Sequence, residues 1–330
     1  MKKLLLSTAL IGALFTGAAV AETKFGGNVE SVWRSGSFDK ADSKINTQDG
    51  MLFEQNISVV TDKALNNGLK LTAGLELENG GDHQSYTTVS NDTFSFGYGL
   101  DFGFNINTYG IPQVGDGPQD VAQVLGVSID DNQVTFVGST QEAHDAAHFN
   151  VTVKAAGGEI GLNYAPSVAQ GRSTTTVADA GGSAWEVGYV GSPVPGVKVI
   201  LGRYTANQAD DSVTTTDAKT VDTYAIQYAT GPYAVGYGVV SYDTGAATNN
   251  GGKTKSIGAT YSSDAYSFGL AKFDLSKDGT TSDEEHVLAS ATYNFGGGLG
   301  IELSYDQVDN IGYSAGADGD AIQLRTIVKF

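Results

Sequence analysis

Apolar and polar residues alternate with a period of two in one segment after another of this 330-residue chain. The cleanest run is Leu69 to Glu78, where Leu69, Leu71, Ala73, Leu75 and Leu77 share one face and Lys70, Thr72, Gly74, Glu76 and Glu78 the other. A helix would scatter both sets around its circumference, so the period predicts a β-strand with one apolar side. Ile301, Leu303 and Tyr305 alternate likewise with Glu302, Ser304 and Asp306, and Phe149, Val151 and Val153 with Asn150, Thr152 and Lys154. Val287, Ala289, Ala291, Tyr293 and Phe295 form another such face, although Leu288 interrupts its polar side. Marking every such segment gives about sixteen candidate strands, an even count. They fall near residues 25–34, 51–61, 68–79, 92–98, 102–109, 148–155, 158–165, 183–191, 196–205, 220–230, 232–243, 254–262, 264–275, 285–295, 298–307 and 321–330.

The connections alternate in length. Segments 35–50, 80–91, 110–147, 166–182, 206–219, 244–253, 276–284 and 308–320 are long and rich in Asp, Asn, Gly, Ser and Thr. Between them lie short links such as Gly99 to Asp101, Ala156-Gly157, Gly231, Ser263 and Gly296-Gly297. Long loops on one rim and tight turns on the other are what a transmembrane barrel requires, whereas a soluble sandwich has no reason to sort its loops this way. Tyr228 and Tyr233 flank one short link and Tyr261 and Tyr266 another, which makes them candidates for an aromatic girdle at the membrane interface.

The N-terminus changes the compartment. Lys2 and Lys3 precede an apolar run from Leu4 to Val20, and Ala19-Val20-Ala21 offers a small-residue cleavage site before Glu22. This predicts a signal peptide over 1–21 and a mature chain over 22–330. The run is short for a membrane-spanning helix, and no other long apolar segment occurs, so entry into a membrane requires a closed barrel. Losing two lysines takes the formal charge from −18 to −20. No basic patch for nucleic acid is visible. Cysteine is absent, so no disulfide staples the fold despite export.

The final segment, Ala321-Ile322-Gln323-Leu324-Arg325-Thr326-Ile327-Val328-Lys329-Phe330, places Ile322, Leu324 and Val328 on one face and ends on Phe330; Thr326 departs from an all-apolar face. It resembles the terminal strand of bacterial outer-membrane proteins, in which the last aromatic belongs to the signal read by the barrel-assembly machinery. The mature chain resembles a general diffusion porin of Gram-negative bacteria, nearest the alphaproteobacterial type. That resemblance implies an all-β, 16-stranded antiparallel transmembrane barrel, a homotrimer in outer-membrane lipid and lipopolysaccharide, and a third long loop folded into the lumen. By the segment count, that loop is 110–147. It would pass small hydrophilic solutes and ions by passive diffusion.

Loop 110–147 carries Asp116, Asp120, Asp130, Asp131, Glu142 and Asp145 and no Lys or Arg. An acidic loop facing basic strands would set a transverse field across a constriction. Candidate basic partners on polar strand faces are Arg34, Lys70 and Arg325, whose strands become neighbours once the last strand closes on the first. The loop lacks the Pro-Glu-Phe-Gly-Gly of the enteric branch, reading Ile111-Pro112-Gln113-Val114-Gly115 instead, so these residues rest on position and charge. With a Debye length of about 8 Å, constriction charges outweigh distant loops, which predicts a mild cation preference.

Other chemistry finds little anchor. His144 and His148 are spaced i and i+4 but lack the Glu of a zinc-protease motif. Asp116 with Asp120, and Asp318 with Asp320, are candidate calcium ligands without a complete twelve-position loop. Gly296-Gly297-Gly298-Leu299-Gly300 lacks a Walker lysine, and no nucleophile elbow is present, so an enzyme is not expected. The competing readings are a solute-specific channel, an adhesion or structural barrel with little conduction, and a secreted soluble β protein.

Overall fold

The alternating segments become the wall of a closed sheet. The computed structural model describes residues 21–38, 49–79, 81–105, 110–115, 121, 125, 147–166, 183–206, 220–243 and 251–330. The strands are β1 (Glu22–Phe38), β2 (Gly50–Ala64), β3 (Lys70–Glu78), β4 (Gly81–Ser90), β5 (Phe94–Leu100), β6 (His148–Ala155), β7 (Gly158–Ala165) and β8 (Ala184–Val194). The wall continues with β9 (Val197–Ala206), β10 (Thr220–Thr230), β11 (Tyr233–Asp243), β12 (Gly251–Ser262), β13 (Tyr266–Lys277), β14 (Glu284–Gly296), β15 (Leu299–Asp309) and β16 (Gly319–Lys329). Each strand pairs antiparallel with its sequence neighbours, and β16 closes on β1. Closure satisfies every ladder and leaves no edge, the condition for crossing a bilayer with strands. Beyond the ladder itself, Phe330 and Gly27 exchange backbone hydrogen bonds of 3.0 and 3.1 Å.

Two segments differ from the sequence expectation, and their errors offset in the strand count. Residues 80–91, read as a long loop, contain β4. Its outward positions Ser85, Thr87 and Val89 are small or hydroxylated, so β4 lacks the apolar stripe that marks a lipid-facing strand; only its β-branched content hinted at a sheet. Residues 102–109, read as a strand, do not form one over the described 102–105. The chain leaves the wall at Asp101 (φ 53°) and runs inward. Phe102 and Phe104 alternate with Gly103 and Asn105 because they pack on the inner wall, an extended segment mistaken for the wall itself. The β5–β6 connection therefore begins at residue 101 instead of 110, and the β3–β4 link is short despite lying on the long-loop rim.

The outer surface is the apolar one. Phe25, Trp33, Met51, Phe53, Ile57, Phe96, Tyr98, Leu162, Ile226, Ile257, Leu270 and Leu303 are all exposed large hydrophobics that share the outward parity of their strands. At the turn rim the predicted girdle tyrosines do face outward: Tyr233 lies 5.2 Å from Tyr261, which lies 5.9 Å from Tyr266. The link Ala156-Gly157 has positive φ at both residues (51° and 74°), the requirement of a two-residue type I′ hairpin.

Candidate functional site: the channel lumen

The inner wall has two arcs that differ chiefly in how far they are covered. On β1 to β4 the inward positions read Lys24, Asn28, Glu30 and Arg34, then Glu54, Asn56, Ser58 and Asp62, then Lys70, Thr72 and Glu76, then Tyr86, Thr88 and Ser90. This arc is mainly polar and less covered than the rest: Leu52 is 52% exposed, although Val32, Glu30 and Thr72 are buried. On β8 to β15 the inward positions include Val190, Ile200, Tyr204, Val221, Ala225, Val240, Ala271, Phe273, Leu275, Leu288 and Val308, all buried. Leu288, which broke the polar face of its strand in sequence, is one of them.

Chain folded into the barrel covers β4, β6 and β7 first and the second arc after that. Phe104 lies on Gly161 of β7, where any Cβ would overlap its ring. Asn163 donates from Nδ2 to the Phe104 carbonyl at 2.6 Å and accepts from Asn150 Nδ2 at 2.6 Å. Phe102 stacks between Tyr86 and His148, with ring centroids 5.4 and 4.7 Å away. Further on, the Gln227 side-chain amide donates to the Gly110 carbonyl. Pro112 covers Gly236 and Gly258, and Val114 covers Gly269, whose Cβ would sit 2.9 Å from the Val114 nitrogen. The segment 110–115 therefore runs from Gln227 of β10 across inward glycines of β11 to β13 and reaches Glu302 of β15 at Gly115. Buried Val121, Leu125 and Ile311 join the same apolar cluster.

Two charged constellations flank the remaining space. Arg325 meets Glu30 at 3.3 Å and Glu302 at 3.2 Å, while Asn28 and Ser304 donate to these carboxylates at 2.6 and 3.2 Å. Among the described residues one guanidinium is thus shared by two carboxylates. Arg34 lies beside it and donates to Gln323 at 2.5 Å. On β14 and β15, His286 is fully buried and its ring nitrogens are hydrogen-bonded to Asp306 at 2.7 Å and to Glu284 at 2.9 Å. The second Glu284 oxygen accepts the Gly312 N–H at 2.5 Å, tying the β15–β16 loop to the wall. In that loop, burial pushes the Tyr313 phenol far above its ordinary range.

The expected basic wall is thus only partly assembled. Arg34 and Arg325 sit together on the β1–β16 seam. Lys70 is at the turn end of β3, 3.4 Å from Asp62, which also accepts from Thr72, and it lies apart from the other two. Asp116, Asp120, Asp130, Asp131, Glu142 and Asp145 lie outside the described residues. Asp318 accepts from the Asn310 N–H at 3.0 Å and Asp320 from the Ser37 hydroxyl at 2.5 Å. Among the described residues no three acidic or histidine side chains converge on a metal-sized site. Sequence reading missed Glu30, Glu302 and the His286 trio. Glu302 and Asp306 stood on a recognised polar face, but their partners emerge only from cross-strand register.

A closed sixteen-strand barrel with an apolar exterior, a polar inner arc and chain folded inside defines the class: a transmembrane β-barrel channel. The family model for Gram-negative porins matches residues 7–313, and the chain belongs to that family. A search of curated protein sequences finds no match. Solved structures share the fold. A porin refined at 1.8 Å resolution superposes with a TM-score of 0.66 at 15% identity, covering 94% of this chain and 100% of that one. In-vitro folded OmpT, an outer-membrane protein of Vibrio cholerae, gives 0.63 at 12% identity, covering 96% and 99%. A mutant form of Rh. blastica porin gives 0.59 at 11% identity, covering 94% and 100%. The chain is accordingly an outer-membrane channel barrel.

Proposed function

We propose that the protein passes small hydrophilic solutes and ions by passive diffusion, with a mild cation preference, along the polar arc of β1 to β4 and the β16 seam. The observation that carries this reading is the Arg325 guanidinium shared by two carboxylates, Glu30 and Glu302, on the polar β1–β16 seam where the inward segment meets the wall at Gly115. Charges at a constriction act within a Debye length of permeating ions, so an acid excess there favours cations. Acidic Asp116 and Asp120 would add to it. The test is the reversal potential in planar bilayers under a salt gradient. Cation preference is expected, diminished by Glu30→Gln and by joint neutralisation of Asp116 and Asp120; clear anion preference in the unmodified protein would sink the reading.

The partners follow from the exterior. Exposed Phe25, Trp33, Met51, Phe53 and Ile57 on β1 and β2 support packing against further copies as a homotrimer, and the apolar remainder supports contact with outer-membrane lipid. Terminal Phe330 supports recognition by the assembly machinery, and the signal-like run over residues 1–21 supports export. Trimerisation is checked on semi-native gels, where Ile57→Lys is expected to give monomers; persistence of the oligomer would remove β1–β2 from the interface.

A further inference from the structure

The tight turns of the barrel hold a residue pair whose chemistry transport does not use. The sequence has three Asn-Gly steps, Asn67-Gly68, Asn79-Gly80 and Asn250-Gly251. Glycine leaves the nitrogen that follows the asparagine unshielded by a side chain, so it can reach the asparagine amide carbon. The β2–β3 turn arranges one of these steps for that attack. Leu65 N–H donates to the Leu69 carbonyl at 2.7 Å and Gly68 N–H to the Leu65 carbonyl at 3.2 Å, with Gly68 at φ 80°, the pattern of a turn followed by a glycine bulge. Asn67 Oδ1 accepts the Leu69 N–H at 3.2 Å. That ring closes over the intervening Gly68 amide and sets the Asn67 side-chain carbonyl carbon beside the Gly68 nitrogen. Asn66, Asn67 and Gly68 are exposed, and a Cβ at position 68 would meet nothing within 4 Å. Asn79 is held differently. Its Oδ1 accepts the Gln55 N–H at 3.1 Å while its own N–H donates to the Gln55 carbonyl at 2.8 Å, so that side chain is bonded across the sheet to β2 instead of to its own chain.

We infer that Asn67 is a site of spontaneous deamidation that ages the turn-rim mouth of the barrel to a more acidic form. Hydroxide removes the Gly68 amide proton, and the nitrogen forms a bond to Asn67 Cγ. The Cγ–Nδ2 bond then breaks and ammonia leaves, taking a proton from water and returning the hydroxide. Water opens the resulting five-membered imide at either carbonyl, leaving Asp or isoaspartate, and nothing is oxidised or reduced. A neutral side chain thereby becomes an anion. Gly68 and Leu69 border a recess of about 670 Å³ shared with Glu22, Asp62, Lys70 and Asp92, so the new carboxylate joins a rim already rich in acids. Added negative charge at a pore mouth favours cations. That charge effect rests on the channel reading proposed above; the modification itself does not.

The test holds the refolded full channel in warm, mildly alkaline buffer and follows each Asn-Gly step by peptide mass mapping. In the folded barrel Asn67 is expected to convert about tenfold faster than Asn79, and in urea the two steps should converge, because the fold is what distinguishes them. Gly68→Ala, checked for folding by heat-modifiable mobility, should slow Asn67 about tenfold in the folded state by placing a Cβ beside the attacking nitrogen at an unfavourable positive φ. Equal folded rates, a faster Asn79, or an Asn67 that converts only once the chain is unfolded would each overturn the site. For the charge effect, reversal potentials under a salt gradient are compared between fresh, aged and Asn67→Asp channels. The last two should shift together towards cations; an aged channel with Asn67 converted and its potential unmoved overturns that effect. Peptide mapping needs no current, so a barrel that deamidates at Asn67 but never conducts refutes the channel reading alone.

Discussion

The two arcs of the barrel solve the same problem in opposite ways. On β1 to β3 the outward face is mainly apolar and the inward face mainly polar, with Val32, Leu52 and Val60 as inward exceptions, while β4 is polar on both faces. On β8 to β15 the inner face mixes apolar residues with buried polar ones such as Thr223, Ser256, His286 and Asp306, and it is covered by residues 110–115 and the loop holding Ile311, while residues 102–105 lie on β4 to β7. The first arc resembles a wall, and the second a two-layer core whose inner layer is loop. On the function proposed above, solutes pass along β1 to β4 and the β16 seam.

This contrast is open to attack, beginning where the largest effect is expected. His286→Ala strands Glu284 and Asp306 in the covered arc without their shared partner; breaking such a buried set costs about 3–5 kcal/mol. Urea unfolding followed by heat-modifiable gel mobility measures it, and a loss below about 1 kcal/mol would show that the second arc is wetter than described. Gly258→Val forces Pro112 off the wall at an overpacking cost of about 1–3 kcal/mol. Single-channel current should change with it, because the displaced segment must move into the open lumen. Leu52→Trp adds bulk to the open arc instead. Conductance should fall while the unfolding midpoint stays within about 0.5 kcal/mol of the parent; a large stability change would mean that this arc, too, is packed. Smallest of all, Arg203→Gln removes an exposed outward partner of Asp222, whose two hydrogen bonds are each 2.7 Å, and should leave both current and unfolding unaltered.

The same contrast explains what could be read in advance. Leu69 to Glu78 was legible because its two faces meet different solvents. Leu288 looked like noise because nothing in a linear pattern announces an apolar lumen covered by loop. β4 was hidden by its small outward residues, while 102–109 imitated a strand because Phe102 and Phe104 alternate against one wall. For the site, closing the last strand on the first was enough to bring Arg34 and Arg325 together. That Arg325 would be shared by Glu30 and Glu302 required register across two interstrand ladders, which depends on exact turn geometry that composition does not specify.

The β1–β16 seam has a consequence for how the barrel forms. Every other pairing joins neighbours in sequence and closes a hairpin, whereas Asn28 against Lys329 and Trp33 against Leu324 join residues from opposite ends of the chain. Contacts of such separation come last and slowly, since the closure entropy precedes any reward. Until that zipper forms, β1 and β16 are two bare edges able to recruit foreign strands. The seam that carries Arg325 is therefore also the kinetic checkpoint between a sealed pore and an aggregate.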